Sequence, residues 1–225
     1  MEIVFKNKNT VVINKPSGVP TQPDPTGDAD AMSLARAELS SRGELSDLWL
    51  VHRLDRGVGG LVAFARNKKS AAELSESVRE RSMTKCYIAV VEGDVPGGVM
   101  EDLLIKDART SKAYVVTRER AGVKRASLEY RTIGRVTTEV GERTLVHITL
   151  HTGRFHQIRV QFASRKHPLV GDAKYGSRDR GGRGIALFAT SLDFTLFGER
   201  IAARALPDLD TYPWNLFDRS IYNEL

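Results

Sequence analysis

The sequence predicts a single α+β domain built on a mostly antiparallel sheet with flanking helices. The 225-residue chain has an ordinary composition, with 41% hydrophobic and 28% charged residues. Two helix-like segments precede residue 82, and four strand-like segments then follow in a row between residues 86 and 150. No repeat or linker interrupts the chain, so we expect one domain over residues 1–225.

Before residue 82, short apolar runs alternate with segments of helical composition. Three Pro and three Asp between residues 19 and 30 indicate an irregular loop, and Gly43 offers a stop for the helix that comes next. The second helix has Leu74 and Val78 on one side. We predict strands at residues 11–14, 49–51 and 61–65, and helices at residues 31–42 and 68–81.

After residue 85 the chain becomes rich in strands. Alternating β-branched and aromatic residues between turn signals predict strands at residues 86–91, 112–117, 127–132, 144–150 and 185–192. The segment 154–165 has helical spacing instead, with Phe155, Ile158 and Phe162 three and four residues apart and Thr152 as the expected N-cap. The sheet is therefore expected to come mainly from the second half of the chain.

The composition excludes several classes of protein. Apolar runs are far shorter than the roughly 20 residues that cross a bilayer, and the N-terminus lacks the pattern of a secretory signal. Cys86 is the only cysteine, which excludes an internal disulfide, and the five His residues show no metal-ligand spacing. We expect a cytoplasmic monomer with no metal and no membrane contact.

Positive charge is concentrated in one part of the chain. The net charge is +6, and residues 153–184 contain eight Lys or Arg against two Asp. Such a cluster is typical of a surface that meets phosphates, although a solvated basic face without a partner would have the same composition.

Four segments contain candidate functional residues, at residues 52–56, 85–93, 152–159 and 168–176. Residues 52–56 (HRLDR) place Asp55 between Arg53 and Arg56, which favours an ionised carboxylate. The alternative is that Asp55 caps a turn and that both Arg residues are solvated. In residues 152–159, Gly153 and Thr152 are expected to open a helix whose N-terminal amides suit an anion.

Four polar side chains follow at the start of that helix, and the alternative for them is an exposed basic helix end. They are Arg154, His156, Gln157 and Arg159. Tyr87 lies in the strand of residues 85–93, and Lys174 and Tyr175 lie in a loop at residues 168–176. Aromatic rings are often core residues, but they are also the platforms on which bases stack.

Taken together and in this order, these segments resemble the RluA family of pseudouridine synthases. The matching runs are residues 12–18, 52–56, 85–93, 152–159, 170–176 and 187–194, within a similarity over roughly residues 1–205. The resemblance implies a mixed, largely antiparallel sheet with flanking helices and a central RNA-binding cleft. It also implies a stand-alone catalytic domain without the S4 RNA-binding domain of some relatives.

The resemblance also implies roles for individual residues. Asp55 corresponds to the catalytic Asp, Tyr87 to the active-site tyrosine, and Arg159 to the arginine that pairs with this Asp. Arg53 corresponds to the arginine that fills the gap left by the flipped nucleotide. The complete set of expected RNA-binding residues is Arg53, Arg56, Arg154, His156, Gln157, Lys174 and Tyr175.

The implied reaction is the isomerisation of uridine to pseudouridine in ribosomal or transfer RNA, which requires no cofactor. Asp55 would act either as a nucleophile or as the base that removes a sugar proton.

One departure concerns the catalytic loop, because Val58 and Gly59 replace residues that carry a hydroxyl in the family. A catalytically weak RNA-binding protein on the same scaffold is therefore the main alternative. A glycoside hydrolase would need a second acid, for which Asp172 is the candidate.

Overall fold

The computed structural model describes residues 1–179, 182 and 184–225. Arg180, Gly181 and Arg183, which belong to the basic segment of residues 153–184, lie outside the described residues. The chain divides into two compact units. Unit 1 comprises Met1–Lys85 and Phe188–Pro207, and unit 2 comprises Cys86–Leu187 and Asp208–Leu225.

Unit 1 is built on a mixed sheet with two helices. Its strands lie in the order β1-β2-β4-β10-β11, and β3 also pairs with β4. All of these pairs are antiparallel except β4 and β10, in which Phe188 lies opposite Gly59 in parallel register. The elements are β1 (Glu2–Lys6), β2 (Thr10–Lys15), α1 (Ala31–Ser41), β3 (Trp49–Leu50), β4 (Gly59–Ala65), α2 (Lys68–Glu80), β10 (Leu187–Leu196) and β11 (Glu199–Arg204).

Both helices of unit 1 begin at capping residues. The Asp30 side chain accepts a hydrogen bond from the backbone N–H of Ser33 at the start of α1, and Asn67 does the same for Ser70 at the start of α2. Leu74 of α2 packs into a buried apolar cluster. The strand residues of this cluster are Val12, Leu61, Ala63, Ala65, Leu192, Phe194, Leu196, Ile201 and Ala203. The core of unit 1 therefore joins the N-terminal strands to the last two strands of the chain.

Unit 2 is an antiparallel sheet with one α-helix. Its strand order is β5-β9-β8-β6-β7. Val160 of the helix packs against Leu104, Ala113 and Ala126 of the sheet. The elements are β5 (Thr84–Glu92), β6 (Gly98–Asp107), β7 (Lys112–Val116), β8 (Val123–Thr138), β9 (Gly141–Leu150) and α3 (Gln157–Ser164).

The predicted α+β class and the mixed, mostly antiparallel pairing are confirmed. Three α-helices occur among the described residues, and all three were predicted, as were eight of the strands. The strands β1, β6 and β11 were not predicted. No helix in the described part of the chain is long and apolar enough to cross a membrane.

The predicted start of the third helix was wrong. The helix begins at Gln157, and its N-cap position is His156, which has a left-handed backbone conformation with φ of 53°. Thr152 is not the N-cap, because its hydroxyl donates to the side chain of Gln157 at 2.7 Å. The expected anion site at the amides after Gly153 is therefore also wrong, since these residues precede the helix.

Candidate active site

The Asp55 loop joins β3 to β4 in unit 1. Asp55 is half-buried and Arg53 is exposed, and the backbone N–H of Val58 closes a turn by donating to the carbonyl of Asp55 at 3.0 Å. The buried side chain of Thr21 forms hydrogen bonds with both main-chain polar groups of Leu54, the residue before Asp55. Its hydroxyl donates to the carbonyl of Leu54 at 2.8 Å and accepts from the N–H of Leu54 at 3.1 Å. The main chain that leads into Asp55 is thereby fixed.

A buried ammonium ties this loop to the segment before it. Lys15 is fully buried, and its Nζ donates to the carbonyls of Pro16 at 3.0 Å, Val19 at 2.7 Å and Arg56 at 3.4 Å. Burial lowers the pKa of Lys15 to about 8, and the nearby Asp55 carboxylate opposes this shift. A cation thus holds the main chain directly after Asp55.

His52 supports the loop as a hydrogen-bond acceptor. Its Nε2 accepts from the backbone N–H of Ala63 on β4 at 3.0 Å. Burial and the charge of Lys85 lower the pKa of His52 to about 3. The ring is therefore neutral at physiological pH, with its proton on Nδ1. Its Nε2 accepts the hydrogen bond that a main-chain carbonyl of a neighbouring strand would otherwise accept from Ala63.

Arg56 contacts the preceding loop. Its Nε donates to the carbonyl of Gly18 at 3.0 Å, its Nη1 donates to the hydroxyl of Thr26 at 3.1 Å, and its Nη2 forms an ion pair with Asp28. These contacts make Arg56 a link between the Asp55 loop and residues 18–28. A contact of Arg56 with RNA stays a prediction.

The unusual residues after Asp55 have a structural explanation. Val58 is buried, and the hydroxyl of Ser17 donates to the carbonyl of Gly57 at 2.8 Å. Gly60 has φ of +113°, and a side chain there would overlap the backbone of Ala189 on β10. The loop is thus supported through its main chain, without a hydroxyl at position 58 or 59.

In unit 2, a buried amide organises the turn before α3. Gln157 is only 3% exposed. Its Oε1 accepts from the hydroxyl of Thr152 at 2.7 Å and from the N–H of Arg154 at 3.0 Å, and its Nε2 donates to the carbonyl of Ser127 at 3.1 Å. Arg154 also donates through Nε to the carbonyl of Arg125 at 2.9 Å. Gln157 therefore holds protein groups in place, and its predicted contact with RNA is untested.

Arg159 forms a buried, bidentate ion pair with Asp172. Its Nε lies 2.7 Å from Oδ2 and its Nη2 lies 2.9 Å from Oδ1 of the carboxylate. Its guanidinium carbon also lies 5.1 Å from the ring centre of Tyr175. The sequence patterns did not pair Asp172 with Arg159, and Asp172 was considered only as the second acid of a glycoside hydrolase. Asp172 orients the guanidinium.

The other predicted residues of unit 2 lie around the same helix end. The hydroxyl of Tyr175 accepts from the N–H of Ala113 at 2.7 Å and lies 2.8 Å from Nδ1 of His156. Lys174 donates to the carbonyl of Ser111 at 3.2 Å. The fold thus collects Arg154, His156, Gln157, Arg159, Lys174 and Tyr175 in one region of unit 2.

Tyr87 lies on β5 in unit 2, opposite Ile148 on β9, and is 6% exposed. Its burial fits a residue whose ring is held rigidly by the sheet. Arg53, Asp55 and Arg56 share one loop of unit 1.

Comparison with known proteins identifies the family to which the chain belongs. Residues 9–164 match the family model described as RNA pseudouridylate synthase. The chain therefore belongs to the RNA pseudouridylate synthase family, and the RluA-type resemblance predicted from the motifs is confirmed.

Individual relatives agree with this result. The chain is 30% identical to "Uncharacterized RNA pseudouridine synthase YhcT" of Bacillus subtilis, over 78% of this chain and 58% of that protein. It is 33% identical to "Ribosomal large subunit pseudouridine synthase D" of Yersinia pestis, over 83% of this chain and 56% of that protein. The chain thus spans little more than half the length of these relatives. The solved structure of "Human RNA Pseudouridylate Synthase Domain Containing 1" has the same fold, with a TM-score of 0.78, 22% identity, and coverage of 92% of this chain and 83% of that one.

Proposed function

We propose that the chain is an RNA pseudouridine synthase in which Asp55 is the catalytic carboxylate. The observation that carries the proposal is the anchoring of the Asp55 loop. Thr21 fixes the main chain before the carboxylate, and Lys15 fixes the main chain after it. Such rigid placement of one ionised group is what a reaction at a single sugar carbon requires.

The chemistry needs few groups. The bond from C1′ to N1 of the uridine breaks, the uracil turns, and a bond from C1′ to C5 forms, while N1 gains a proton and C5 loses one. An ionised Asp55 can attack C1′ as a nucleophile or remove a sugar proton as a base. The Lys15 cation lies close enough to Asp55 to interact with it electrostatically.

The resemblance extends the proposal to further residues. Tyr87 would contact the target base, and Arg159 would pair with Asp55 while Asp172 holds it in orientation. Arg53 would replace the flipped uridine, whose extrusion costs a few kcal/mol. The family match at residues 9–164 includes parts of both units, which supports one catalytic domain over residues 1–225.

The proposed substrate is RNA of the large ribosomal subunit. This choice follows the name of the Yersinia pestis relative, which is 33% identical over 83% of this chain. The net charge of +6 suits a polyanionic partner. We further propose that the protein acts as a cytoplasmic monomer and that transfer RNA is the second substrate to test.

The test is pseudouridine formation in large-subunit ribosomal RNA transcripts by wild type, Asp55→Asn and Asp47→Asn. Asp47 is an exposed loop residue of the same unit, so its variant controls for the loss of one negative charge. We expect Asp55→Asn to lower the rate by about 10³-fold or more and Asp47→Asn to leave it unchanged. RNA affinity should be retained in both variants.

Product yield equal to that of wild type from Asp55→Asn would contradict the assignment of Asp55. The replacement of hydroxyl residues by Val58 and Gly59 favours one alternative, an RNA-binding protein with weak or no catalysis. That alternative predicts tight RNA binding by wild type with no pseudouridine formed in ribosomal or transfer RNA.

A further inference from the structure

Unit 2 contains a pocket of about 930 Å³ beside the C-terminal end of α3. Its volume is within the range that holds a nucleotide-sized ligand. Three cationic side chains line it, Arg143, Lys166 and Arg178, together with two acids, Glu92 and Asp179. The ligand that it suits depends on which of these charges are already satisfied within the protein.

Both acids are engaged by protein donors. The Oε1 atom of Glu92 accepts from the hydroxyl of Ser177 at 2.6 Å and from the N–H of Arg178 at 3.2 Å. The Oδ2 atom of Asp179 pairs with Nη2 of Arg143 at 2.9 Å, and that Arg is 3% exposed. Glu92 therefore orders the main chain around the pocket, and the buried pair of Arg143 and Asp179 adds no net charge.

The two remaining cations face solvent. Lys166 and Arg178 are exposed, and neither side chain has a hydrogen-bond or ion-pair partner within the described part of the chain. The pocket thus combines a hydrogen-bonded floor with two unpaired positive groups, and its three cations outnumber its two acids. That combination suits an anion with several oxygen atoms.

The backbone at Lys166 ends α3 in a left-handed conformation. The N–H of Lys166 donates to the carbonyl of Ala163 at 3.0 Å, and the N–H of His167 donates to the carbonyl of Phe162 at 3.1 Å. These bonds form a Schellman motif, in which Lys166 takes the left-handed position with φ of 68°. Glycine normally occupies this position because a side chain strains it. Arg81 has the same conformation at the end of α2, which makes it a suitable control for Lys166.

We propose that this pocket binds a backbone phosphate of the RNA substrate at a distance along the strand from the target uridine. The inference rests on the proposed function, because RNA is the polyanion that the family modifies. Tyr175 also lines the pocket, and the same residue contacts His156 and Arg159. The pocket is therefore continuous with the predicted RNA-binding region of unit 2. Phosphate contacts of this kind fix the register of the strand without reading its sequence.

The test uses Lys166→Gly and Arg178→Ala in the full chain, with Arg81→Gly as the matched control. Arg81 ends α2 in the left-handed conformation with φ of 62°, is exposed, and does not line the pocket. Both glycine variants thus remove one cation and relieve the same backbone strain. Each should raise the melting temperature by about 2–4 °C.

RNA affinity should separate the variants. For a ribosomal RNA fragment measured from 50 to 200 mM salt, Lys166→Gly and Arg178→Ala should each weaken the Kd about 3- to 10-fold at the low-salt end. Each should also reduce the slope of log K against log salt by about 0.7–0.9. In turnover assays the loss should fall on KM. Arg81→Gly should leave the Kd, the slope and KM as in wild type.

Unchanged affinity and slope in both pocket variants would overturn the inference, as would a fall in kcat with KM unchanged. Binding of free uridine monophosphate that requires Lys166, with unchanged affinity for RNA, would also overturn it in favour of a mononucleotide site. If wild type binds RNA through Lys166 and Arg178 but forms no pseudouridine, the pocket stands and the proposed function fails.

Discussion

The two segments that contain the predicted active-site residues are held in different ways. In unit 1, the Asp55 loop is fixed through its main chain, by Lys15 and Thr21. In unit 2, the start of α3 is held by a network that also contains contacts between side chains, above all that of Arg159 with Asp172.

This difference predicts different tolerance to substitution. A main-chain anchor fixes the path of a loop whatever side chains it contains, so Val58 and Gly59 can replace hydroxyl residues without loss of support. A side-chain network depends on the identity of each member. We therefore expect substitutions in the network to act strongly on stability and substitutions of the loop anchors to act more on the reaction.

The largest effect should come from Asp172→Asn. The change breaks a bidentate ion pair in which both side chains are buried, and loss of one partner of a buried pair costs about 3–5 kcal/mol. Urea unfolding followed by circular dichroism measures the free energy of unfolding. Asp210→Asn is the control, since its pair with Arg219 is exposed and such pairs contribute less than about 1 kcal/mol. Equal losses of unfolding free energy in Asp172→Asn and Asp210→Asn would contradict the expectation that the buried ion pair contributes more than the exposed one.

A smaller effect, dependent on pH, is expected at His52. The pKa of His52 is lowered from 6.5 to about 3 in the folded chain, so below pH 6.5 the unfolded chain takes up a proton that the folded chain does not. Wild type should lose stability as pH falls from 6.5 towards 3, by at most about 1.4 kcal/mol per pH unit. His52→Gln keeps an acceptor for the N–H of Ala63 and removes the titration.

The measurement is the free energy of unfolding of wild type and His52→Gln at pH 7 and pH 4.5. The difference between them should shift by about 2–3 kcal/mol in favour of the glutamine variant at the lower pH. Parallel pH dependence of the two proteins would show that His52 is protonated in the folded chain, and the proposed role as a neutral acceptor would then be wrong.

The smallest effect on stability should follow Thr21→Val. The variant leaves the buried N–H and carbonyl of Leu54 without the threonine hydroxyl, at a cost of about 1–2 kcal/mol. Because the Asp55 main chain loses its anchor, the rate of pseudouridine formation at saturating RNA should fall about 10-fold or more. Thr21→Ser keeps the hydroxyl and should restore the rate. If the lower stability of Thr21→Val fully accounts for its lower rate of pseudouridine formation, the proposed role of Thr21 in positioning Asp55 is wrong.

The sequence predicted most elements of the fold, and the errors have physical causes. On β6, the inward position between Met100 and Leu104 is Asp102, which binds Gln161 and Arg165. An acid on the inner face breaks the apolar alternation that identifies a strand. β11 has only two inward residues, Ile201 and the small Ala203, which give a weak pattern.

The site was predicted less completely than the fold. Motif matches pointed to Asp55 and Arg159, because these residue types recur at fixed places in the family. Lys15 and Thr21 act on backbone atoms distant in sequence, and nothing in a linear pattern reports such contacts. The start of α3 was misplaced because the side chain of Gln157 folds back on Thr152, which replaces the hydrogen bond of an ordinary N-cap.

The parallel pairing of β4 with β10 has a consequence for synthesis on the ribosome. Gly60 packs closely against the backbone of Ala189, and the two residues are far apart in the chain. At roughly 5–20 residues per second, the ribosome needs on the order of 10 s between making β4 and making its neighbour. All of β5 to β9 emerges in that interval and can pair locally. Unit 1, although it begins the chain, is therefore the unit whose sheet closes last.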